Sequence, residues 1–216
     1  MKKKFLDPLI KRKRKITDEV QFYNEIPLPS VIEISESGTC NRKCSFCPRS
    51  APDYKDIKEF IPTNLIEKLS KELSFYNYSG IFLFSGFVEP MLDKNIYNLV
   101  SIVRKNLKNA RIEMVTNGDV LNSSRIKKIF NSGLSTLLIS IYDGKKEADA
   151  MEKLMLDTGI SPSQFKVRHR YLSESEDFGI TLSNRSGMME NAEYKIKSLE
   201  EPLKTPCYYP HYTFFV

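Results

Sequence analysis

Val31-Ile-Glu-Ile-Ser-Glu36 reads as a β-strand, and it runs directly into Ser37-Gly-Thr-Cys40-Asn-Arg-Lys-Cys44-Ser-Phe-Cys47-Pro, a polar loop carrying three thiols. The chain then alternates amphipathic and continuously apolar segments. A helix is expected from Asn64, with Asn64 as its cap, Glu67 completing a capping box, and Leu65, Ile66, Leu69 and Leu73 as its buried stripe. Ile81-Phe-Leu-Phe84 is apolar throughout, as a strand covered on both faces should be. Asp93 caps a second helix with Ile96, Leu99, Val100 and Val103 on one face, and a third strand covers 112–116. A short helix over 124–131 stops at Gly133, Thr136-Leu-Leu-Ile-Ser-Ile141 is a fourth strand, and a helix over 145–157 stops at Gly159. Fifth and sixth strands are expected over 164–172 and 180–182.

Repeated strand-helix units require right-handed crossovers and a parallel sheet. The fold class is therefore α/β, read as a partial (β/α)6 TIM-type barrel with parallel strands. In such folds ligands gather at the C-terminal ends of the strands. The positions to inspect are Cys40 to Cys47, Ser85 to Pro90, Asn117 to Asp119, Ser140 to Asp143 and the stretch around Arg170.

With 41% hydrophobic and 28% charged residues, the 216-residue chain has the composition of a globular protein and not of a disordered one. The net charge of +6 is local. Eight basic side chains within residues 2–15 against Asp7 give the N-terminal arm +7, so everything after Lys15 sums to −1. Such an arm is most often a solvated terminus, and no aromatic residues interleave it as a stacking platform for bases. Binding of nucleic acid through it is the lesser alternative. No stretch reaches the length of a membrane span, and the apolar run after the first lysines is broken by Asp7 and Pro8, too short for a signal-peptide core. The expected location is cytoplasmic. Thiols stay reduced there, so four cysteines with three inside eight residues point to metal and not to disulfides.

The spacing C-x3-C-x2-C places Cys40, Cys44 and Cys47 on one tight loop, where each thiolate can bind a different iron of a cubane. A missing fourth protein ligand leaves one coordination position open, the arrangement that separates catalytic from structural metal sites. Structural zinc is the rival. It would need a distant fourth ligand, Cys207, His169 or His211, and there is no second C-x2-C to pair with the first. Burial as small hydrophobes fits poorly with the neighbours Asn41, Arg42, Lys43 and Arg49.

The loop Cys40-Asn-Arg-Lys-Cys44-Ser-Phe-Cys47-Pro resembles the cluster loop of the radical SAM superfamily, with Phe46 as the aromatic residue common before the last cysteine. The resemblance covers roughly residues 31–187. It implies a 4Fe-4S cluster on Cys40, Cys44 and Cys47 and S-adenosylmethionine as second cofactor, bound at the open iron and cleaved to a 5′-deoxyadenosyl radical. Ser85-Gly-Phe-Val-Glu89-Pro90 resembles the family's Gly-Gly-Glu-Pro motif, which receives the amino group of S-adenosylmethionine, with Phe87-Val88 standing where the glycine pair belongs. The implied cofactor-binding set is Phe46, Gly86, Glu89, Asn117, Ser140 and Arg170, the last as a clamp for a carboxylate. Arg168 and Arg170 share one face of their strand and His169 takes the other. Asn184-Arg-Ser-Gly187 is read as a second candidate for the site mouth, or an ordinary turn.

The expected organisation is a basic arm over 1–29, a radical SAM core over 30–200 and, over 201–216, the incomplete start of a SPASM- or twitch-like extension marked by Cys207. The expected activity is hydrogen-atom abstraction from a peptide or small-molecule substrate, fed by an external electron donor of flavodoxin or ferredoxin type. The alternatives are a truncated, non-catalytic iron-sulfur protein and a radical SAM modifier of RNA.

Overall fold

The computed structural model describes residues 20–172 and 213–216. A short hairpin of β1 (Phe22–Tyr23) and β2 (Ile26–Pro27) leads into β3 (Val31–Ile34), followed by a second hairpin of β4 (Ser37–Gly38) and β5 (Ile57–Phe60). Alternating units follow: α1 (Thr63–Phe75), β6 (Ile81–Phe84), α2 (Ile96–Asn106), β7 (Arg111–Thr116), α3 (Ser123–Asn131), β8 (Thr136–Ile141), α4 (Lys145–Asp157) and β9 (Phe165–His169). β10 (Thr213–Phe215) closes the described chain. Six strands form one parallel sheet in the order β10-β3-β6-β7-β8-β9, the arrangement of a partial TIM-type barrel.

The two faces of the sheet differ because side chains alternate along each strand. Ile32, Ile34, Phe82, Phe84, Ile112, Met114, Leu137, Ile139, Ile141 and Val167 belong to the same buried cluster as Ile66 of α1, Leu99 and Val103 of α2, Ile126 of α3 and Met155 of α4. That face is the helix side. The alternate positions, among them Glu33, Glu113, Val115, Ser140 and Arg168, take the opposite face, which is far more polar. β8 is buried at all six positions, which is why its sequence shows no polar alternation outside Thr136 and Ser140.

One expectation is corrected. Asn64 does not cap α1: the helix begins one residue earlier, Pro62 is the cap position with no side-chain bond, and Glu67 pairs with Lys71 at 2.6 Å instead of closing a capping box. Leu65 consequently faces solvent, and the buried stripe is Ile66, Ser70 and Leu73. The sixth strand of the described sheet is Thr213–Phe215, which pairs in parallel with Val31–Glu33 along the edge of β3. Part of the segment read as the start of an extension thus hydrogen-bonds within the sheet. The strand expected over 180–182, the turn over 184–187, Cys207 and the basic residues before Lys15 lie outside the described residues. Among the described residues no helix is long and apolar enough to cross a membrane.

Candidate active site

The three cysteines leave the C-terminal side of β3 on a loop held at both ends. Within it, Cys47 N–H donates to the Cys44 carbonyl at 2.9 Å, and the Ser50 hydroxyl donates to the carbonyls of Ser45 and Cys47. Across the sheet, Arg42 reaches past β6 to the ends of β7 and β8. Its guanidinium forks onto Asp119, after β7, and onto Asp143, after β8, at 2.6 to 3.0 Å to the latter. Asn117 Nδ2 donates to Asn41 Oδ1 at 2.8 Å and approaches Cys40 Sγ at 3.8 Å, while Arg42 N–H points at the same sulfur at 3.4 Å.

Cys40, Cys44 and Cys47 open onto one cleft whose wall also contains Phe46, Gly86, Glu89 and Asn117. All three thiols are free of disulfides. Burial pushes the Cys44 thiol up and its neighbour Cys47 adds to the rise, while Arg42 opposes it. Three thiols lining one cleft, with amide donors aimed at one of them, suit a thiolate-ligated cluster. Among the described residues no three His, Cys, Asp or Glu side chains are gathered tightly enough to share one metal ion. A cubane asks for a wider spread, because its ligands sit on different irons.

Glu89 is 1% exposed and fully engaged. Its Oε1 accepts from Met91 N–H at 3.0 Å and from the Thr116 hydroxyl at 2.6 Å, and its Oε2 accepts from Asn117 N–H at 2.7 Å. Its own N–H donates to the Thr39 carbonyl at 2.9 Å. The carboxylate therefore splices the loop after β6 to the end of β7 beneath the cleft, where burial pushes its pKa up against the pull of those donors. Gly86 has φ +123°, and a Cβ there would overlap Ser35 Oγ, so this loop lies against the end of β3 in a conformation that favours glycine. Phe87 and Val88, standing where the motif has its glycine pair, both line the cleft.

Ser140 and Arg170 are not on the cleft wall. They meet it through Tyr142, which is: burial raises its phenol pKa, and the Arg170 charge and the Ser140 hydroxyl pull it back. The Tyr142 ring packs against Phe46 at 5.2 Å between centroids and receives the Arg42 guanidinium at 5.6 Å. His169 is on the helix side, with Nδ1 2.8 Å from the Tyr171 hydroxyl and Nε2 3.6 Å from Glu152 on α4. Sequence reading missed Arg42, Arg49 and Tyr142. The rule that ligands collect after strand ends marked the stretch 140–143 without choosing Tyr142 over Ser140, and nothing local distinguishes the two arginines from solvated ones.

A parallel sheet with three thiols at the end of its first large strand and a glutamate-proline loop at the end of the second defines a class of α/β proteins built to hold a cluster over the strand ends. The model of the radical SAM superfamily matches residues 34–182, and the chain belongs to that superfamily. It is 30% identical over 162 residues to the S-adenosyl-L-methionine-dependent 2-deoxy-scyllo-inosamine dehydrogenase of Niallia circulans, an alignment covering 75% of this chain and 61% of that protein. The chain thus spans about three-fifths of that curated relative. The crystal structure of BtrN in complex with AdoMet and 2-DOIA superposes with a TM-score of 0.68 at 25% identity, over 88% of this chain and 70% of the other. Streptococcus suis SuiB bound to its precursor peptide SuiA shares the fold at 19% identity and a TM-score of 0.50, over 73% of this chain and 35% of that one.

Proposed function

We propose that the protein cleaves S-adenosylmethionine reductively at a 4Fe-4S cluster held by Cys40, Cys44 and Cys47, and abstracts a hydrogen atom from a small polyhydroxylated amine. The observation that carries this reading is the convergence of three thiols from one loop with the ends of β6 and β7 on a single cleft. When such a site is loaded, it supplies one-electron reduction of a sulfonium, whose carbon-sulfur bond breaks to give methionine and a 5′-deoxyadenosyl radical.

The chain's own residues have separable parts in this. Arg42 fixes the cluster loop over the ends of β7 and β8, and Asn117 stands beside Cys40 with its amide, held in place by Glu89. Gly86 lets the loop after β6 approach closely, and the Phe46 and Tyr142 rings wall one side against water, which protects radical chemistry. Ser140 and Arg170 act from behind Tyr142, on the polar side of the sheet where the substrate would lie. The polar character of that face, together with similarity to an inosamine dehydrogenase over three-quarters of the chain, favours a small hydroxylated substrate over a peptide. An external one-electron donor of flavodoxin or ferredoxin type is required, in the cytoplasm, where thiols stay reduced.

The test is anaerobic reconstitution with iron and sulfide, followed by dithionite and S-adenosylmethionine. Release of 5′-deoxyadenosine is the expected result, and its absence from a protein with full cluster content would overturn the reading. With 2-deoxy-scyllo-inosamine deuterated on its carbons, deuterium should appear in the 5′-deoxyadenosine; transfer only from a peptide would correct the substrate class.

A further inference from the structure

Arg49, two residues past Cys47, carries a charge in a place where charge is expensive. Its side chain is 1% exposed, and taking a guanidinium out of water costs several kcal/mol unless its partners compensate. The partners are specific. Nη1 donates to the Gly38 carbonyl at 2.9 Å and to the Phe87 carbonyl at 3.2 Å, Nη2 donates to Asp56 Oδ1 at 2.7 Å, and the guanidinium lies 5.3 Å from the Tyr54 ring centre. Gly38 stands just before the cysteine loop, and Phe87 is in the loop after β6. One side chain therefore ties both loops to each other, and it does so from the wall of the cleft they enclose.

Two carbonyls and a carboxylate need donors at this place, which an apolar side chain filling the same space could not supply. The fourth donor sharpens the point. Nε is buried and has no hydrogen-bond partner among the described residues, an arrangement that is destabilising unless an anionic or carbonyl acceptor completes it.

We propose that Arg49 is a positioning residue for S-adenosylmethionine. By holding the Phe87 carbonyl it fixes the peptide planes of the 86–88 segment that lines the cleft; its own charge is balanced by Asp56 at 2.7 Å, so it acts on the cofactor through that segment. The proposal rests on the function given above, and it assigns Arg49 to cofactor affinity and not to cluster assembly. Lysine cannot replace it fully, because a point-charge ammonium cannot bond two divergent carbonyls and a carboxylate in one plane.

The experiment compares wild type, Arg49→Met and Arg49→Lys as full chains, reconstituted anaerobically, with three readouts: iron and sulfide per chain, S-adenosylmethionine affinity by equilibrium binding, and amide hydrogen exchange over 86–89. Arg49→Met should keep its iron and sulfide, bind S-adenosylmethionine about tenfold or more weakly, as expected for loss of charge-assisted bonds, and exchange faster at 86–89. Arg49→Lys should fall between the two, and it decides the matter if the Met variant does not fold. Wild-type affinity in either variant overturns the proposal, as does a loss of affinity that only parallels a loss of iron. If wild type itself binds no S-adenosylmethionine, the functional reading fails, whereas unchanged exchange at 86–89 in Arg49→Met would refute the tether independently.

Discussion

The Arg42 guanidinium donates to both carboxylate oxygens of Asp119, a residue 77 positions further along the chain, from inside the cysteine loop. The same side chain continues to Asp143, whose carboxyl it holds below the usual carboxylate range. Neither acid is deeply buried, so each pair is worth only about 1 kcal/mol. Arg42→Ala is expected to lower the melting temperature by a few degrees, corresponding to about 1–2 kcal/mol, and to release iron faster on desalting. Arg42→Lys should restore little of this, because it cannot fork. Unchanged iron retention in both variants would show that the loop is held by other means.

Glu36 gives a pH dependence. It is wholly buried at the end of β3, and burial lifts its carboxyl from 4.5 to about 8, with Asp93 and Glu89 adding to the rise. One oxygen of Glu36 and one of Asp93 have no partner within the described residues. Because the folded pKa is the higher one, the stability this group lends is full below 4.5 and is lost as pH rises toward about 8. Glu36→Gln should therefore stabilise the protein by on the order of 2 kcal/mol at about pH 8 and by much less at about pH 5. A denaturant titration at the two pH values checks this; equal effects at both would contradict it.

Gly86→Ala should be costly chiefly because φ at this position is +123°; the new methyl would also displace the Ser35 hydroxyl, which can rotate away. The strain is about 1–3 kcal/mol, and relieving it moves the 86–88 loop. The expected outcome is a lower melting point together with weaker S-adenosylmethionine binding. Gly159→Ala, at φ +80° but with no atom near its would-be Cβ and far from the cleft, should lower stability alone.

Glu89→Gln replaces a carboxylate that accepts three hydrogen bonds with an amide whose nitrogen must face an N–H or hydroxyl donor. A loss of about 2–3 kcal/mol is expected by chemical denaturation, with Asn117 displaced from Cys40. A wild-type unfolding midpoint would mean that the splice beneath the cleft contributes nothing.

The parts of the fold that local pattern could reveal are those where burial is complete and the ends are punctuated. Ile81–Phe84, Thr136–Ile141 and Lys145–Asp157 match their expected bounds residue for residue, since continuous apolar runs and the glycines at 133 and 159 leave little choice of frame. The start of α1 was not legible. Asn64 and Glu67 have capping-box spacing, but Pro62 already fixes an extended conformation one residue before the helix, and packing on β3 and β6 selects the Ile66 face over Leu65. The parallel pairing of Thr213–Phe215 with β3 is a contact between chain segments far apart, beyond the reach of any local window. The site divides the same way. Three cysteines declare themselves by spacing, whereas Arg42, Arg49 and Tyr142 acquire their roles only when the sheet brings strand ends together. Asp119 and Asp143 differ from surface acids by the bonds they accept from the cysteine loop, both from Arg42 and Asp119 also from Asn41.

The central claim is that three thiolates leave one iron open and that S-adenosylmethionine occupies it through its amino group. Electron-nuclear double resonance on the dithionite-reduced, reconstituted protein, with the amino nitrogen of S-adenosylmethionine isotopically labelled, tests it directly. A hyperfine coupling from that nitrogen to the cluster is the predicted result. A cluster spectrum that saturating S-adenosylmethionine leaves unaltered, with no coupling from the label, would contradict the account.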